Sequence, residues 1–321
     1  MGEFELINSY FKRPTRRAVL GGGDDCALLA AGPGQHWAIS TDMLVEGRHF
    51  LPTVDPESLG HKALAVNLSD LAACGAQPVA FTLALALPRA DKHWAERFSR
   101  GLYDEALTHG CELIGGDTTL GPLTINITVF GQVPPGQALL RAAAQPGDDI
   151  YISGQVGDAR MALEVFRGHL ILSGDAFARC RARMERPTPR VSLGLALRGL
   201  AHAAIDVSDG LLGDLGHILA RSGHGAQIET QWLQGSGAAS ADLLSLPWTQ
   251  RMDMALAGGD DYELLFTAPP AVREQVDAAA QGCGVPVTRI GHITPEPGLR
   301  VLDPQGQPVM RRFASFDHFA G

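Results

Sequence analysis

The stretch ESLGHKALAVNLSDLAACGAQPVAFTLALALP (57–88) indicates the fold class of this chain. Residues 57–76 have the composition and spacing of a helix, and residues 79–88 form an apolar run that ends at Pro88. A helix that is followed at once by an apolar strand is typical of α/β proteins. This stretch therefore predicts an α/β fold in which helices and strands alternate.

The same alternation continues on both sides of this stretch. WAIST (37–41) predicts a strand before it, and KHWAERFSRGLYDEALTHG (92–110) predicts a helix after it that ends at Gly110. Further strands are predicted in CELIGG, LTINITVFGQV, IYISG, AAIDVSDG, GAQIET and YELLFTA, and further helices at 158–167, 211–222 and 271–281. The whole chain thus has one kind of architecture from end to end.

A change in composition separates two halves of the chain. The segment PPGQALLRAAAQPGDDIY (134–151) is rich in Pro, Gly and Ala and has little periodicity, which is typical of a connection between domains. A chain of 321 residues is also longer than one ordinary domain. We therefore predict an N-terminal domain at 1–137 and a C-terminal domain at 138–321.

The composition argues against several classes of partner and location. The net charge is −9 and no run of Lys or Arg occurs, so we expect no nucleic-acid partner and no anionic membrane surface as partner. The five cysteines are scattered without a C-x-x-C pair, so we expect them to be reduced and mostly buried. The start MGEFELINSYF (1–11) has neither the basic nor the apolar region of a secretory signal, so we expect a cytoplasmic protein.

Acidic residues recur where apolar segments meet Gly, Ser or Thr. They are Asp24, Asp25, Asp42, Asp70, Asp117, Asp206, Asp209, Asp214, Asp260, Asp261 and Glu263. Burying an isolated carboxylate costs several kcal/mol, so such groups must be paired, protonated or bound to a cation. The chain has only three lysines, Lys12, Lys62 and Lys92, which are too few to pair all of these acids. The pattern therefore indicates a site for cations.

Asp70 illustrates the argument because it lies inside a predicted helix between Leu68 and Leu71, with Asn67 on the same face. Alone it could equally be a hydrogen-bonding acid near a helix end, and GGGDD (21–25) alone is more typical of a surface turn. Together, these carboxylates and the neighbouring hydroxyls offer only oxygen ligands, which suit Mg²⁺ better than Zn²⁺. We therefore predict a Mg²⁺ site that serves phosphate chemistry.

The usual phosphate-binding motifs are absent from the sequence, which has no P-loop, no kinase-type Val-Ala-x-Lys and no dinucleotide-binding G-x-G-x-x-G. Bound ATP would have to be met by metal ions, by arginine and by backbone amides at turns and helix starts. VSDGLLGDLGHILA (207–220) predicts such a helix start, in which Ser208 or Asp209 caps the helix. GGD (115–117) offers a similar turn rich in amides.

Eight motifs occur in a characteristic order: GDDCA, STD, VEGRHF, KALAVNLSDLAACGA, LIGGDTT, IDVSDGL, GGDDYEL and FDHF. This series resembles the thiamine-monophosphate kinase family of the aminoimidazole-ribonucleotide-synthetase-like superfamily, from about residue 3 to the last residues. The resemblance implies a two-domain α/β subunit with α+β layers, which forms a homodimer through the sheet of its N-terminal domain. It implies that the domain at 1–137 binds metal and ATP and that the domain at 138–321 completes the active site. It also implies direct, Mg²⁺-assisted transfer of a phosphoryl group from ATP to thiamine monophosphate, the last step in forming thiamine diphosphate.

The resemblance further implies roles for single residues. The cation shell would comprise Asp25, Ser40, Thr41, Asp42, Asp70, Asp117, Asp206 and Asp209, among which Asp42, Asp70, Asp117 and Asp209 are expected to be catalytic. Contacts to ATP are implied for Tyr103, Gly116, Asp117, Arg141 and Ser208, and contacts to thiamine monophosphate for His49, Asp260 and Phe316. Asp24 is expected only to orient its neighbour Asp25.

Some positions depart from the family pattern or allow another explanation. The family usually has Glu where this chain has Asp260, and commonly Tyr or Trp where it has Phe316. Tyr103 could equally pack its helix, His49 could bond a loop, and Phe316 could anchor the C-terminal tail. The alternative functions are a sister synthetase or maturation enzyme of the superfamily, a metal-dependent phosphohydrolase, and a nucleotide-binding protein without activity.

Overall fold

The computed structural model describes residues 3–20, 28–30, 32–235, 237–311 and 313. The chain divides into two compact units. The first contains Met1–Leu71 and Ala76–Gly136, and the second contains Ala72–Gly75 and Gln137–Gly321. No helix in these described ranges is both long and apolar enough to cross a membrane.

Strands and helices alternate along the chain. The strands are β1 (Ala18–Leu20), β2 (Leu28–Leu29), β3 (His36–Val45), β4 (Gln77–Leu87), β5 (Glu112–Leu120), β6 (Thr124–Val133), β7 (Asp149–Ser153), β8 (Ala203–Asp206), β9 (Gly225–Glu229), β10 (Leu264–Ala268), β11 (Val287–Thr294) and β12 (Gly298–Leu302). The helices are α1 (Glu3–Leu6), α2 (Pro56–Ala73), α3 (Lys92–Thr108), α4 (Asp158–Phe166), α5 (Gly174–Glu185), α6 (Val191–Ala196), α7 (Leu211–Ser222), α8 (Ala241–Leu244), α9 (Trp248–Ala257) and α10 (Arg273–Cys283). The described residues also contain a π-helical turn at Ile7–Phe11 and 3-10 turns at Thr230–Gln234 and Pro270–Val272.

A four-stranded sheet in the order β3-β6-β4-β5 forms the centre of the first unit. Only β4 and β5 run parallel, and the other neighbours are antiparallel. Side chains alternate between the two faces of a strand, and on β6 Ile125, Ile127 and Val129 are buried on one face. The opposite face is more open, because Ile39 and Met43 of β3 are 61% and 54% exposed there.

Helices α2 and α3 cross at close range because both have a glycine at the contact. A Cβ atom at Gly60 would overlap the carbonyl oxygen of Phe98, and a Cβ at Gly101 would overlap that of Glu57.

The two helices begin in different ways. Pro56 occupies the first turn of α2, where a missing N–H costs nothing. Asp91 caps α3 by accepting from the N–H of Trp94 at 3.1 Å.

The second unit contains a six-stranded sheet in the order β12-β9-β11-β7-β10-β8. Its neighbours are antiparallel except for β12 and β9, so the unit has α+β layers rather than a doubly wound parallel sheet. A single apolar cluster contains Ile152 of β7, Ile205 of β8, Leu215 of α7 and Leu265 of β10. Asp206 and Leu264 pair at one end of β8 and β10, where two of the sequence motifs meet.

The cysteines in the described residues are all free thiols. Cys111 and Cys180 are buried, whereas Cys74 and Cys283 are half-buried. Burial raises the pKa of both Cys111 and Cys180 to about 12, so these two thiols are unreactive. Cys26 lies outside the described residues.

Candidate active site

Ser40, Asp42 and Asp70 come together in the first unit, where β3 packs against α2. The hydroxyl of Ser40 donates to Oδ2 of Asp70 at 2.5 Å. The backbone N–H of Asp42 donates to Oδ1 of Asn67 at 3.1 Å, and the Asn67 amide is itself held because its Nδ2 donates to the carbonyl of Ala63 at 3.0 Å. Alternation along β3 places Ser40 and Asp42 on the face that meets α2. Three predicted ligands therefore share one surface.

Thr41 lies on the opposite face of β3 and contacts β6 instead of α2. Its hydroxyl donates to the carbonyl of Ile127 at 3.0 Å and lies 3.1 Å from the hydroxyl of Thr128. The side chain of Asn126 donates both to Oγ1 of Thr41 and to the carbonyl of Asp42, at 3.3 and 3.2 Å. The structure does not bring the Thr41 hydroxyl to Asp70, and its role in a cation shell stays a prediction.

Gly116 and Asp117 lie on β5, at the edge of the sheet opposite β3. Gly116 has a φ of 153°, and a Cβ there would overlap the carbonyl oxygen of Leu83, so only glycine fits. Gly116, Leu83, Ile127 and Asp42 form one row across the four strands. Three strand spacings, about 14 Å along the sheet, separate the two edges. Within one sheet, Asp42 and Asp117 therefore lie on opposite edges.

Two further predicted contact residues of the first unit are held by local interactions. The ring Nδ1 of His49 accepts from the N–H of Val45 at 3.0 Å, so a neutral His49 carries its proton on Nε2. Tyr103 is buried beneath the guanidinium of Arg13, which lies 3.6 Å from the ring centroid. Burial raises the pKa of Tyr103 to about 12, and its hydroxyl has no hydrogen-bond partner within the described residues. The contact of Tyr103 with ATP stays a prediction.

In the second unit, Asp214 organises the turn between β8 and α7. Its Oδ2 accepts from the backbone N–H groups of Ser208, Asp209 and Gly210, at 3.1, 3.2 and 3.1 Å. Burial raises the pKa of Asp214 to about 7, and the nearby charge of Asp209 also raises it. Asp214 is only 2% exposed, whereas Ser208 and Asp209 are half-buried. The backbone of this turn is thus fixed from the protein interior.

This geometry corrects the predicted helix cap. The residue that caps α7 is Gly210, which has a φ of 126° and no side chain, and neither Ser208 nor Asp209 caps it. The physical reason is that the carboxylate of Asp214, in the first turn of α7, accepts from the N–H groups of residues 208–210. A side chain that precedes the helix is therefore not needed to bind them. The backbone N–H groups that were predicted to bind phosphate at this turn therefore donate to Asp214 instead.

The loop of the GGDDYEL motif packs against the same turn. The N–H groups of Asp260 and Tyr262 donate to the carbonyls of Ser208 and Val207, both at 2.8 Å. Asp260 and Tyr262 both have positive φ angles, 70° and 51°, a strained conformation that often occurs at functional sites. The hydroxyl of Tyr262 donates to Oδ1 of Asp260 at 3.1 Å. The structure therefore brings together the IDVSDGL and GGDDYEL motifs, which are distant in the sequence. These motifs contain the predicted site residues Asp206, Asp209 and Asp260.

Two other acids of this motif have structural partners. Asp261 accepts from the N–H of Gly157 with both carboxylate oxygens, at 3.0 and 2.9 Å, and burial raises its pKa well above the usual range. Glu263 binds Arg190 through two hydrogen bonds of 2.6 and 2.5 Å and accepts from the hydroxyl of Ser153 at 2.6 Å. The inference that too few cations exist to pair these acids was wrong for Glu263, because it counted lysines and overlooked arginine.

Of the remaining predicted site residues, the structure describes Arg141 but not Asp24, Asp25 and Phe316. Arg141 is exposed, and its guanidinium makes no hydrogen bond or ion pair within the described residues. Asp24, Asp25 and Phe316 lie outside the described residues, so their assignments stay predictions.

The donor atoms fit Mg²⁺ in kind, although they do not form a complete site. The candidate ligands are oxygen atoms only, from Ser40, Asp42 and Asp70 in one unit and from Asp206 and Asp209 in the other, as a hard cation requires. No group of three or more His, Cys, Asp or Glu side chains within the described ranges is arranged to hold a metal ion.

Comparisons with known proteins agree along nearly the whole chain. The family AIR synthase related protein, N-terminal domain, matches residues 23–133, and the corresponding C-terminal domain matches residues 145–303. Thiamine-monophosphate kinase of Escherichia coli strain K12 is 46% identical over 323 residues, which cover 99% of this chain and 98% of that protein.

Solved structures of thiamine-monophosphate kinases are also similar to this chain over most of its length. The crystal structure of thiamine-monophosphate kinase from Stenotrophomonas maltophilia K279a is 43% identical with a TM-score of 0.84, covering 95% of this chain and 96% of that one. The structure of AaThiL complexed with AMPPCP and TMP is 28% identical with a TM-score of 0.75, covering 90% of this chain and 89% of that one. The predicted resemblance and the two-domain fold are thereby confirmed.

Proposed function

This chain belongs to the thiamine-monophosphate kinase family of the AIR synthase related proteins, and we propose that it transfers a phosphoryl group from ATP to thiamine monophosphate. The products are thiamine diphosphate and ADP. The single observation that carries this function is the 46% identity to a curated kinase over 99% of the chain. The acids at Asp42, Asp70, Asp117, Asp206 and Asp209 are the residues with which the chain would perform it.

The chemistry requires neutralisation of charge more than proton transfer. The acceptor is a phosphate whose second pKa is about 6, so it is largely ionised at pH 7 and needs no general base. Donor and acceptor phosphates repel each other, and catalysis consists of holding them in line while positive charge compensates the transition state. Bound Mg²⁺ would supply that positive charge. We assign the aspartates to hold the metal and not to move protons.

Each of the two units carries its own candidate oxygen ligands. Ser40, Asp42 and Asp70 offer oxygen ligands on the β3–α2 surface, where the Ser40–Asp70 hydrogen bond holds the Asp70 carboxylate. Asp206 and Asp209 offer a second pair on the turn before α7. Several Mg²⁺ ions are expected, because the charges of both ATP and the acceptor phosphate must be neutralised.

Other residues would orient the two substrates. The exposed guanidinium of Arg141 is available to the phosphates of ATP, and so is the exposed backbone of Gly116. The Nε2–H of a neutral His49 is a donor suited to the phosphate of thiamine monophosphate. The carboxylate of Asp260, held by Tyr262, would pair with the cationic thiamine moiety.

A direct assay tests this function. Purified protein is incubated with MgATP and thiamine monophosphate, and thiamine diphosphate is measured by chromatography together with inorganic phosphate. We expect thiamine diphosphate in equal amount to ADP. Release of phosphate without thiamine diphosphate would favour the phosphohydrolase, and binding of ATP without turnover would favour the inactive nucleotide-binding protein.

We further propose that the chain acts as a cytoplasmic homodimer. The open face of the four-stranded sheet carries the exposed side chains of Ile39, Thr41 and Met43 on β3. Apolar side chains that are grouped on an exposed surface are typical of an interface. A second copy of the same sheet would cover them, as the resemblance to the family implies.

A further inference from the structure

Asp214 is outside the predicted cation shell, yet its carboxylate is the centre of the turn that carries Asp206, Ser208 and Asp209. Three consecutive N–H groups converge on one oxygen of this buried side chain. Such convergence fixes three successive peptide planes, and with them the directions in which the side chains of the turn leave the backbone. No bond of Asp214 to a side chain is needed for this effect.

The carbonyl side of the same turn is also held. The carbonyls of Val207 and Ser208 accept from the N–H groups of Tyr262 and Asp260. A Cβ at Gly259 would overlap the carbonyl oxygen of Ser208, so the two segments are in direct backbone contact. Asp214 therefore supports one side of the turn, and the substrate loop at Asp260 rests on the other side.

We propose that Asp214 is a positioning residue, which fixes Asp206 and Asp209 for binding Mg²⁺ and fixes Asp260 for binding substrate. The inference rests on the proposed function, because it concerns the ligands assigned there. Substitution of a group that orients metal ligands often lowers metal affinity by about 10–100-fold. Through the Ser208 carbonyl, the same residue also affects the position of Asp260.

Two substitutions separate positioning from a direct charge effect. Asp214→Asn keeps an oxygen of the same reach that can accept the three N–H groups, but removes the charge. Asp214→Glu keeps the charge, but its extra methylene places the oxygens away from the three amides. A positioning residue tolerates Asn and not Glu, whereas a metal ligand or an electrostatic partner tolerates Glu and not Asn.

The experiment measures Mg²⁺ dependence and backbone protection together. For each variant, thiamine diphosphate formation is titrated with Mg²⁺, and amide hydrogen exchange of residues 207–210 is followed without nucleotide. We expect D214E to raise the half-saturating Mg²⁺ concentration by about 10-fold or more, to raise the KM for thiamine monophosphate, and to speed exchange at Ser208, Asp209 and Gly210. D214N should stay within about 3-fold of the unsubstituted protein in each quantity, a difference of about 0.6 kcal/mol.

Asp148→Asn is the matched control. Asp148 is an equally buried aspartate of the same unit, and it accepts from the N–H of Gln145 and the hydroxyl of Thr267 and contacts His202. Because His202 and Thr267 lie at the end of β8 and β10 away from the turn, D148N should leave Mg²⁺ dependence and exchange at 207–210 unchanged.

Two results would overturn the inference: a D214N protein with a Mg²⁺ requirement raised at least 10-fold, or a D214E protein with unchanged exchange at 208–210. If D214E does not fold, D214N alone decides between positioning and charge, because the two roles predict opposite results for it. Hydrogen exchange does not require turnover. A protein that makes no thiamine diphosphate but shows the expected exchange would disprove the proposed function and not the role of Asp214 in fixing the turn.

Discussion

Asp42 combines a backbone that is held by α2 with a side chain assigned to metal. Its N–H is bound by Asn67, whose own amide is fixed by Ala63, so the strand cannot shift relative to the helix without breaking hydrogen bonds. Gly116 is constrained in a different way, by the carbonyl of Leu83 and by its φ angle. A substitution at Asp42 therefore tests ligand chemistry, and a substitution at Gly116 tests backbone geometry.

Asp42→Asn is expected to lower kcat by about 100-fold or more and to raise the Mg²⁺ requirement, because the variant lacks one of the charged ligands. Mg²⁺ titrations of thiamine diphosphate formation measure both effects. Asp55→Asn is the control, because Asp55 accepts from the N–H of Glu57 at the start of α2 and pairs with Arg97, and neither contact involves a proposed ligand. Normal turnover and normal Mg²⁺ dependence in D42N would show that Asp42 is not a ligand.

Gly116→Ala is expected to lower the free energy of unfolding by about 2–4 kcal/mol, because the new methyl group would overlap the backbone of β4. Urea denaturation measures the loss. Gly121→Ala is the control, since a Cβ there would lie 3.4 Å from the nearest atom, Cβ of Ala86, an ordinary contact. Equal stability of G116A and G121A would contradict the close approach seen at Gly116.

At the scale of elements, α2 and α3 are joined by glycine contacts and by a buried charged cluster. Glu105 of α3 lies 3.1 Å from His61 of α2 and 3.1 Å from His109, the residue that follows α3. Burial by itself would raise the pKa of Glu105, but the contacts with His109 and His61 outweigh burial and lower it to about 2. The pair of helices that carries Asp70 is therefore sensitive to this carboxylate.

Glu105→Gln is expected to lower the free energy of unfolding at pH 6 by about 1–3 kcal/mol. The pKa of Glu105 is depressed in the folded state, from 4.5 to about 2. Its contribution is therefore complete above pH 4.5 and is lost as the pH falls toward 2. Urea denaturation at pH 6, 4.5 and 3.5 should show the difference from the unsubstituted protein shrinking. Glu96→Gln, which alters an exposed pair with Arg100, serves as the control. A pH-independent difference for E105Q would refute this account.

The elements show how far the sequence alone could lead. The predicted helix at 57–76 is confirmed as α2, and the predicted strand at 79–88 as β4, because an apolar core gives both a regular local pattern. Helix α5 and strands β11 and β12 were not predicted. In α5 arginine and acidic residues interrupt the apolar spacing, and Arg181, for example, binds Glu185 one turn later.

For the whole molecule, the open face of the first unit's sheet is the surface that we propose for dimerisation. Ile39 and Met43 lie there on either side of Thr41, although large apolar side chains are usually covered. Helices α2 and α3 occupy the other face, so a second copy would complete the covering of the sheet without disturbing the β3–α2 surface.

Ile39→Arg is expected to convert a dimer into a monomer, because the charge would be buried without a partner at the interface. Light scattering after size exclusion should show a fall from twice the chain mass to 34.0 kDa. Leu107→Arg is the control, since Leu107 is 82% exposed on α3 and outside the sheet. An unchanged mass for I39R, or a monomer before substitution, would contradict dimerisation through this face.

The order of the motifs by itself determined the family and the chemistry, because ligand type and local periodicity are properties of residues close together in the chain. It also determined most of the elements that carry the site. Which acids are paired inside the protein is visible in the folded structure alone, as for Glu263 and Arg190, which are 73 positions apart. Only the tertiary structure showed that Asp214 engages the amides offered to phosphate. The partner of a buried carboxylate depends on which elements pack against it, and its neighbours in sequence do not specify that packing.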